Sequence, residues 1–247
     1  MQKNSLNKKV ALITGSARRV GAEIAHTLHQ AGMKIVLHYN ASEMEAIQLC
    51  DTLNKARENS AVALQADLQL EVCQTLIEQA YIVWERLDVL VNNASKYYHT
   101  YIGKVSEYAW DDLMNTNIKA PFFLAQAAAP YLAKNHGSIV NIADIHAHYP
   151  LKDYSVYCIS KGALVTLTKV LAKELGPTVR VNAVSPGVVL WPEGGNNLSP
   201  EEKETIISRI SLLRAGTPLD IAKAVLFLVR DADYVTGQVI SVDGGRL

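Results

Sequence analysis

The sequence predicts an α/β fold, a doubly wound parallel sheet with helices on both faces, and three observations carry that prediction. Apolar runs alternate with stretches of helical period from end to end. The runs are rich in β-branched residues and lack polar alternation, the pattern of strands covered on both sides. The first run passes directly into a glycine-bearing turn, Thr14-Gly15-Ser16-Ala17-Arg18-Arg19-Val20-Gly21, and then into a helix.

Each element follows in order. Lys9–Thr14 reads as a buried strand, and a helix from about Val20 to Ala31 closes at Gly32. Lys34–Tyr39 is the second strand, and Ser42–Arg57 a helix that Ser42 is placed to cap. Ala61–Ala66 is the third strand, with a helix near Glu71–Arg86, and Val89–Asn92 is a short fourth. Two long helices, about Ser106–Lys134 and Tyr154–Leu175, flank the strand Ser138–Ile142, and Arg180–Ser185 and Val239–Val242 complete the sheet. No linker, repeat or low-complexity stretch divides residues 1–247, so a single domain is expected. The Gly-, Pro- and Asn-rich stretch Gly187–Pro200, with the residues up to about 215, is expected to be a substrate lid; the alternative is a plain surface loop.

Composition narrows the function classes. Of 247 residues 49% are hydrophobic and 19% charged, and 24 basic side chains balance 24 acidic ones. The apolar share supports a large core. The charge balance gives no ground for a nucleic acid or an anionic membrane as partner. The polar start shows no secretory signal, and no apolar run reads as approaching the ~20 residues of a membrane span. Cys50, Cys73 and Cys158 lack disulfide or metal spacing, so buried thiols in a cytoplasmic protein are expected.

Tyr157 and Lys161, in the run Tyr-Cys-Ile-Ser-Lys, stand four apart in a helical stretch and so share a face. A phenol ordinarily titrates near ~10. A neighbouring ammonium is expected to lower that value and make the pair an acid/base unit.

Gly15 and Gly21 let the backbone approach a pyrophosphate, and the helix behind them offers N–H groups and a positive dipole end. At the end of the second strand, His38-Tyr39-Asn40-Ala41-Ser42 carries no acid to hold a ribose 2′-hydroxyl. Arg18, Arg19, His38, Asn40 and Ser42 are instead expected to surround a 2′-phosphate, which favours NADPH over NADH.

These motifs resemble the short-chain dehydrogenase/reductase family, and the resemblance extends over nearly the whole chain. Thr14–Gly21 is similar to its glycine turn, with Arg19 where the middle glycine would be, and Asn92-Asn93-Ala94-Ser95 to its Asn-Asn-Ala-Gly. The resemblance implies a Rossmann-like nucleotide-binding domain, with Asp67 and Leu68 at the adenine and Pro186-Gly187 against the nicotinamide. Asp67 has a plain alternative as a helix cap. Asn117 matches the asparagine that completes a proton relay with Tyr157 and Lys161, and the resemblance implies that Lys161 also holds the nicotinamide ribose; a structural role is the alternative for Asn117.

One departure is chemically pointed. Most members place a serine thirteen residues before the tyrosine, and here that position is Asp144. A carboxylate would repel the oxyanion of a carbonyl being reduced, whereas it suits a substrate with ring N–H or amino groups. Arg19, His38-Tyr39, Asn93-Ala94-Ser95 and Asp144 together resemble the pteridine reductases. That resemblance implies hydride transfer from NADPH to C6 of a 7,8-dihydropterin, or to C7 of the oxidised ring. Tyr157, assisted by Asp144, would protonate the adjacent nitrogen. Tyr97 would stack on the pterin, Arg19 and Ser95 would contact its edge, and dihydrofolate would be a further substrate. Trp191 either closes over substrate or packs in its loop.

Rival readings are a 3-oxoacyl-carrier-protein or generic carbonyl reductase, and a non-catalytic NADP sensor. His146 and His148 suggest no metal site, for want of a third ligand. Apolar residues on several faces of the two long helices, among them Phe122, Phe123, Leu124, Leu164, Leu167 and Leu171, are placed to pair with a second subunit; the family resemblance implies a homotetramer, with a dimer as the alternative.

Overall fold

The computed structural model describes residues 5–68, 70–191 and 198–246. Its centre is a seven-stranded sheet in the order β3-β2-β1-β4-β5-β6-β7, parallel throughout. The strands are β1 (Val10–Ile13), β2 (Lys34–Tyr39), β3 (Ala61–Gln65), β4 (Val89–Asn92), β5 (Ser138–Ile142), β6 (Arg180–Pro186) and β7 (Val239–Val242). All seven lie where the apolar runs place them. β1, β4 and β5 are buried at every residue, which is why their sequences lack alternation.

Helices α1 (Arg19–Gln30), α2 (Glu43–Ala56) and α8 (Pro218–Arg230) cover one face, where Ile24, Leu28, Leu49, Val225 and Leu228 pack on Ala11, Ile13 and Ile35. Helices α3 (Leu70–Ile82), α5 (Ala120–Ala133) and α6 (Ser155–Glu174) cover the other, where Leu76, Leu124, Leu164 and Leu171 pack on Val10, Leu12 and Leu90. Alternate residues of β1 thus feed opposite cores, as the two-residue period of a strand requires.

Several expectations need correction. Ser42 precedes α2 but its side chain accepts no capping bond, because its backbone lies outside the extended region typical of a cap. The stretch 106–134 is helical but not one regular helix. α4 (Glu107–Met114) is followed by a π turn over Asn115–Lys119 before α5 begins. Two helices were missed, α7 (Pro200–Ile207) and α8. Each opens on a capping box with proline in the first turn, Ser199 with Glu202 and Thr217 with Asp220, which is a legible signal. α6, 20 residues long, is by length and composition apolar enough to cross a membrane; 61% of its most apolar stretch is buried within the fold. Cys73 and Cys158 are buried and Cys50 only partly so.

The chain runs outward in one direction through β1, β2 and β3 and in the other from β4 to β7. β1 and β4 therefore lie at a topological switch point, whose carboxyl-end crevice is where open α/β sheets bind ligands.

Candidate active site

A cavity of about 430 Å³ opens at that crevice. Four strand ends and the π turn supply its wall: Gly15 and Ala17 to Gly21 after β1, His38 to Ser42 at the end of β2, Asp67 and Leu68 after β3, Asn93 to Lys96 after β4, and Thr116. Most of the cofactor residues expected from the sequence therefore share one wall. Ala17, Ala41, Lys96 and Thr116 belong to it and were not foreseen.

The cradle is built for close backbone approach. Gly15 has φ +60°, and a Cβ there would sit 2.9 Å from Ala94 Cα. A Cβ on Gly21 would lie 2.5 Å from the Gly15 carbonyl oxygen and 2.6 Å from Asn93 Nδ2. Asn93 Nδ2 donates to the carbonyls of Thr14 and Gly15, both at 2.9 Å, so its role is to shape the turn. α1 starts with no side-chain cap and no acid in its first turn, and its positive end meets the cavity. These features fit the diphosphate of a dinucleotide. Arg19, in place of a glycine, has φ +55°, the left-handed region that costs an L-residue roughly 1–2 kcal/mol. Its Nη2 donates to the carbonyl of Trp191 at 3.3 Å, and Lys203 Nζ lies 5.6 Å from the centroid of the Trp191 ring. Trp191 is thereby held beside the glycine turn. Of the expected lid, residues 192–197 lie outside the described residues.

His38 requires correction. Its Nδ1 accepts from the Gly15 amide at 3.0 Å and its Nε2 lies 3.0 Å from the Ala66 carbonyl. The first bond forces the proton onto Nε2. The ring is buried, and that burial pushes its pKa down. A neutral imidazole occupied on both nitrogens braces the turn and offers no charge to a phosphate. Two acids also reach the end of β2 from other elements. Asn40 Nδ2 lies 3.5 Å from Asp67 Oδ1, and Arg18 pairs with Glu45 at 3.6 Å. Asp67 stands three residues ahead of Leu70, where α3 begins.

The second half of the site lies at the ends of β5 and β6. Asp144 follows β5, and its Oδ1 accepts from the His146 amide at 2.8 Å, capping a single 3₁₀ turn over Ile145–Ala147. Its other oxygen, Oδ2, accepts from the Tyr157 hydroxyl at 2.7 Å. Tyr157 is in the first turn of α6 and is 5% exposed. Lys161, one turn on, is buried and donates to the Ile142 carbonyl at 2.9 Å. Pro186 pairs with Val242, and a Cβ on Gly187 would lie 2.7 Å from Asp243 Cα, which locks that turn to the end of β7.

The pKa logic differs from the expectation. Burial, then the Asp144 charge and the hydrogen bond to it, push the Tyr157 phenol well above 10. Lys161 Nζ lies 5.7 Å from the ring centroid and donates to the Ile142 carbonyl, and burial and Asp144 outweigh its charge in setting the direction of the shift. Burial pushes Lys161 itself down to about 8, with Asp144 opposing the shift. Burial and the Asp144 carboxylate thus keep the proton on the phenol.

Asn117 sits in the π turn, a feature frequent at functional sites. Its Oδ1 accepts from the Lys96 amide at 2.8 Å and from Ser95 Oγ at 3.1 Å. Its Nδ2 donates at 3.0 Å to both the Lys96 carbonyl and Ser160 Oγ. Those four bonds use the whole capacity of a carboxamide. The side chain ties the 95–96 turn to α6, the structural role that the sequence also allowed. Thr100 does similar work: its Oγ1 accepts from the Val156 amide at 3.1 Å, and its carbonyl from Ser155 Oγ at 2.7 Å. The segment between these anchors carries Tyr97. That ring stacks on Tyr154 with centroids 4.5 Å apart and meets Tyr157 edge-on at 4.8 Å. Tyr97 is thus beside the Tyr157 phenol, but one of its faces is already covered. Lys96 pairs with Asp112, which also accepts from the Tyr98 hydroxyl at 3.0 Å. His146 Nδ1 lies 2.9 Å from the Tyr149 carbonyl, and no cluster of three metal-ligating side chains occurs among the described residues.

Comparison with known proteins agrees with this geometry. A family model described as enoyl-(acyl carrier protein) reductase matches residues 15–246. The chain belongs to the short-chain dehydrogenase/reductase family. As a member of that family it is an oxidoreductase that uses NAD(H) or NADP(H). Pteridine reductase 1 of Leishmania tarentolae is 36% identical, covering 96% of this chain and 95% of its own length. A short-chain dehydrogenase/reductase of Pestalotiopsis microspora is 36% identical, with 97% and 96% covered. The 3-oxoacyl-[acyl-carrier-protein] reductase of Thermotoga maritima is 35% identical, with 97% and 98% covered. Two named activities are thus almost equally near, and the site must decide between them.

Proposed function

We propose that this short-chain dehydrogenase/reductase is an NADPH-dependent pteridine reductase, reducing dihydropterins, and dihydrofolate where the substrate carries the longer side chain, to their tetrahydro forms. The observation that carries this reading is the Asp144–Tyr157 hydrogen bond of 2.7 Å. A reducible ketone would have to place its developing oxyanion beside that carboxylate, an electrostatically adverse site. A ring nitrogen that must gain a proton finds there a buried phenol held protonated and a carboxylate able to orient an N–H group.

The glycine turn, Arg18, Asn40, Ser42 and Asp67 would hold NADPH, which supplies the hydride when bound. Tyr157 keeps a proton at Oη for the nitrogen next to the reduced carbon. Asp144 positions that hydroxyl, and Lys161 contributes a buried positive charge beneath it. Tyr97 offers its remaining face to a flat heterocycle. Trp191, tied to Arg19, and Ser95 border the same opening. We further propose a homotetramer that pairs through the outer faces of α5 and α6, where Phe122, Ile159 and Val170 are 38%, 49% and 46% exposed.

The near-equal likeness to a 3-oxoacyl-[acyl-carrier-protein] reductase supplies the second reading. NADPH oxidation with dihydrobiopterin, dihydrofolate and an acetoacetyl thioester separates the two. Turnover of the dihydropterin well above that of the thioester is expected; the reverse order overturns the proposal.

A further inference from the structure

The adenosine end of the cavity contains a charge relationship that the cofactor reading leaves unused. Arg18 Nη1 lies 3.6 Å from Glu45 Oε1, and the two side chains are 57% and 43% exposed. Arg18 immediately precedes α1 and Glu45 stands in the first turn of α2. Between them Asn40, Ala41 and Ser42 line the same cavity as Arg18. The arginine best placed for a 2′-phosphate is therefore already shared with a carboxylate of the chain. We infer that Glu45 is a specificity-determining residue of the nucleotide site: by pairing with Arg18 it restrains the preference for a nucleotide bearing a 2′-phosphate. This inference rests on reading the cavity as a dinucleotide site.

Two effects of Glu45 oppose one another. It holds Arg18 near the site, which helps an incoming anion, but an exposed ion pair orders its partners only weakly. It also places a negative charge beside a phosphate monoester carrying about 1.5 to 2 charges near neutral pH. That repulsion acts on every charge of the phosphate, and Arg18 must loosen its hold on Glu45 to bind, so the unfavourable effect wins. A nucleotide with a free 2′-hydroxyl feels neither effect. Glu43, in the same first turn, still complements the helix dipole when Glu45 is neutralised, so Glu45→Gln is expected to fold normally.

The test is equilibrium titration of NADPH and NADH, followed by nicotinamide fluorescence, on the wild type, Glu45→Gln, Arg18→Gln and the double variant. Glu45→Gln is expected to tighten NADPH about three-fold while leaving NADH unchanged. The gain is expected to vanish in the Arg18→Gln background and at ~1 M salt, where the screening length is about 3 Å. Binding of both nucleotides with an unmoved or lowered NADPH preference in Glu45→Gln overturns the role of Glu45 alone. A wild type that binds neither nucleotide overturns the dinucleotide reading itself, and the inference with it.

Discussion

The Tyr157 hydroxyl donates to Asp144 Oδ2 at 2.7 Å, so its proton lies between the phenol oxygen and a carboxylate oxygen. Both burial and the carboxylate raise the phenol pKa. Replacing Asp144 with Asn is expected to lower that pKa while keeping the shape of the site. Ultraviolet difference titration of Asp144→Asn against a Tyr157→Phe control reads this out. An unmoved or higher phenol pKa in Asp144→Asn contradicts the pairing.

Lys161 gives a pH prediction with two opposite signs. Burial holds its pKa at about 8 against an ordinary 10.5. Between those values the unfolded chain binds more protons at this position than the folded one. Its contribution to stability therefore rises with pH across that window, by at most ~1.4 kcal/mol per pH unit. Function moves the other way, since the ammonium is lost as pH rises through about 8. Cofactor affinity in the wild type should fall there, and Lys161→Met should show neither trend. Denaturant melts and cofactor titrations from pH 7 to 10 test both signs.

Arg19 occupies a left-handed backbone conformation, φ +55°. Arg19→Gly and Arg19→Ala both remove the bond to Trp191, but only glycine relieves the strain. Arg19→Gly is expected to be the more stable of the two by about 1 kcal/mol in denaturant unfolding. Equal stability would mean that the turn relaxes freely.

At Gly21 an added Cβ would meet the Gly15 carbonyl oxygen at 2.5 Å and Ser16 Cα at 2.8 Å. Both are backbone atoms that cannot swing aside. Gly21→Ala is expected to destabilise by roughly 1–3 kcal/mol and to weaken dinucleotide binding at least ten-fold. A variant that binds NADPH normally would show that the cradle is more tolerant than its geometry indicates.

The strands were legible because β-branched runs buried on both faces leave an unmistakable pattern; the register of β4 on β5, which brings Asn92 beside Asn141, was not. α8 was legible too, in Thr217-Pro218-Leu219-Asp220, but the irregular stretch before it drew the reading away. Other features had no local signal. Nothing near His38 reveals that the Gly15 amide and the Ala66 carbonyl will grip both ring nitrogens. Glu45 and Asp67 arrive at the end of β2 from a following helix and a neighbouring strand, so a search of residues 38–42 for acids could not find them. Asn117 meets Ser95, Lys96 and Ser160 only through the tertiary fold, so no local signal shows that its carboxamide is fully bonded.

The most direct measurement of the central claim is the dihydropterin turnover of Asp144→Ser, which installs the residue most of the family carries there. If the carboxylate orients the proton donor toward a ring nitrogen, turnover should fall about 100-fold or more while the NADPH dissociation constant stays unchanged. Undiminished dihydropterin reduction by Asp144→Ser would contradict the account.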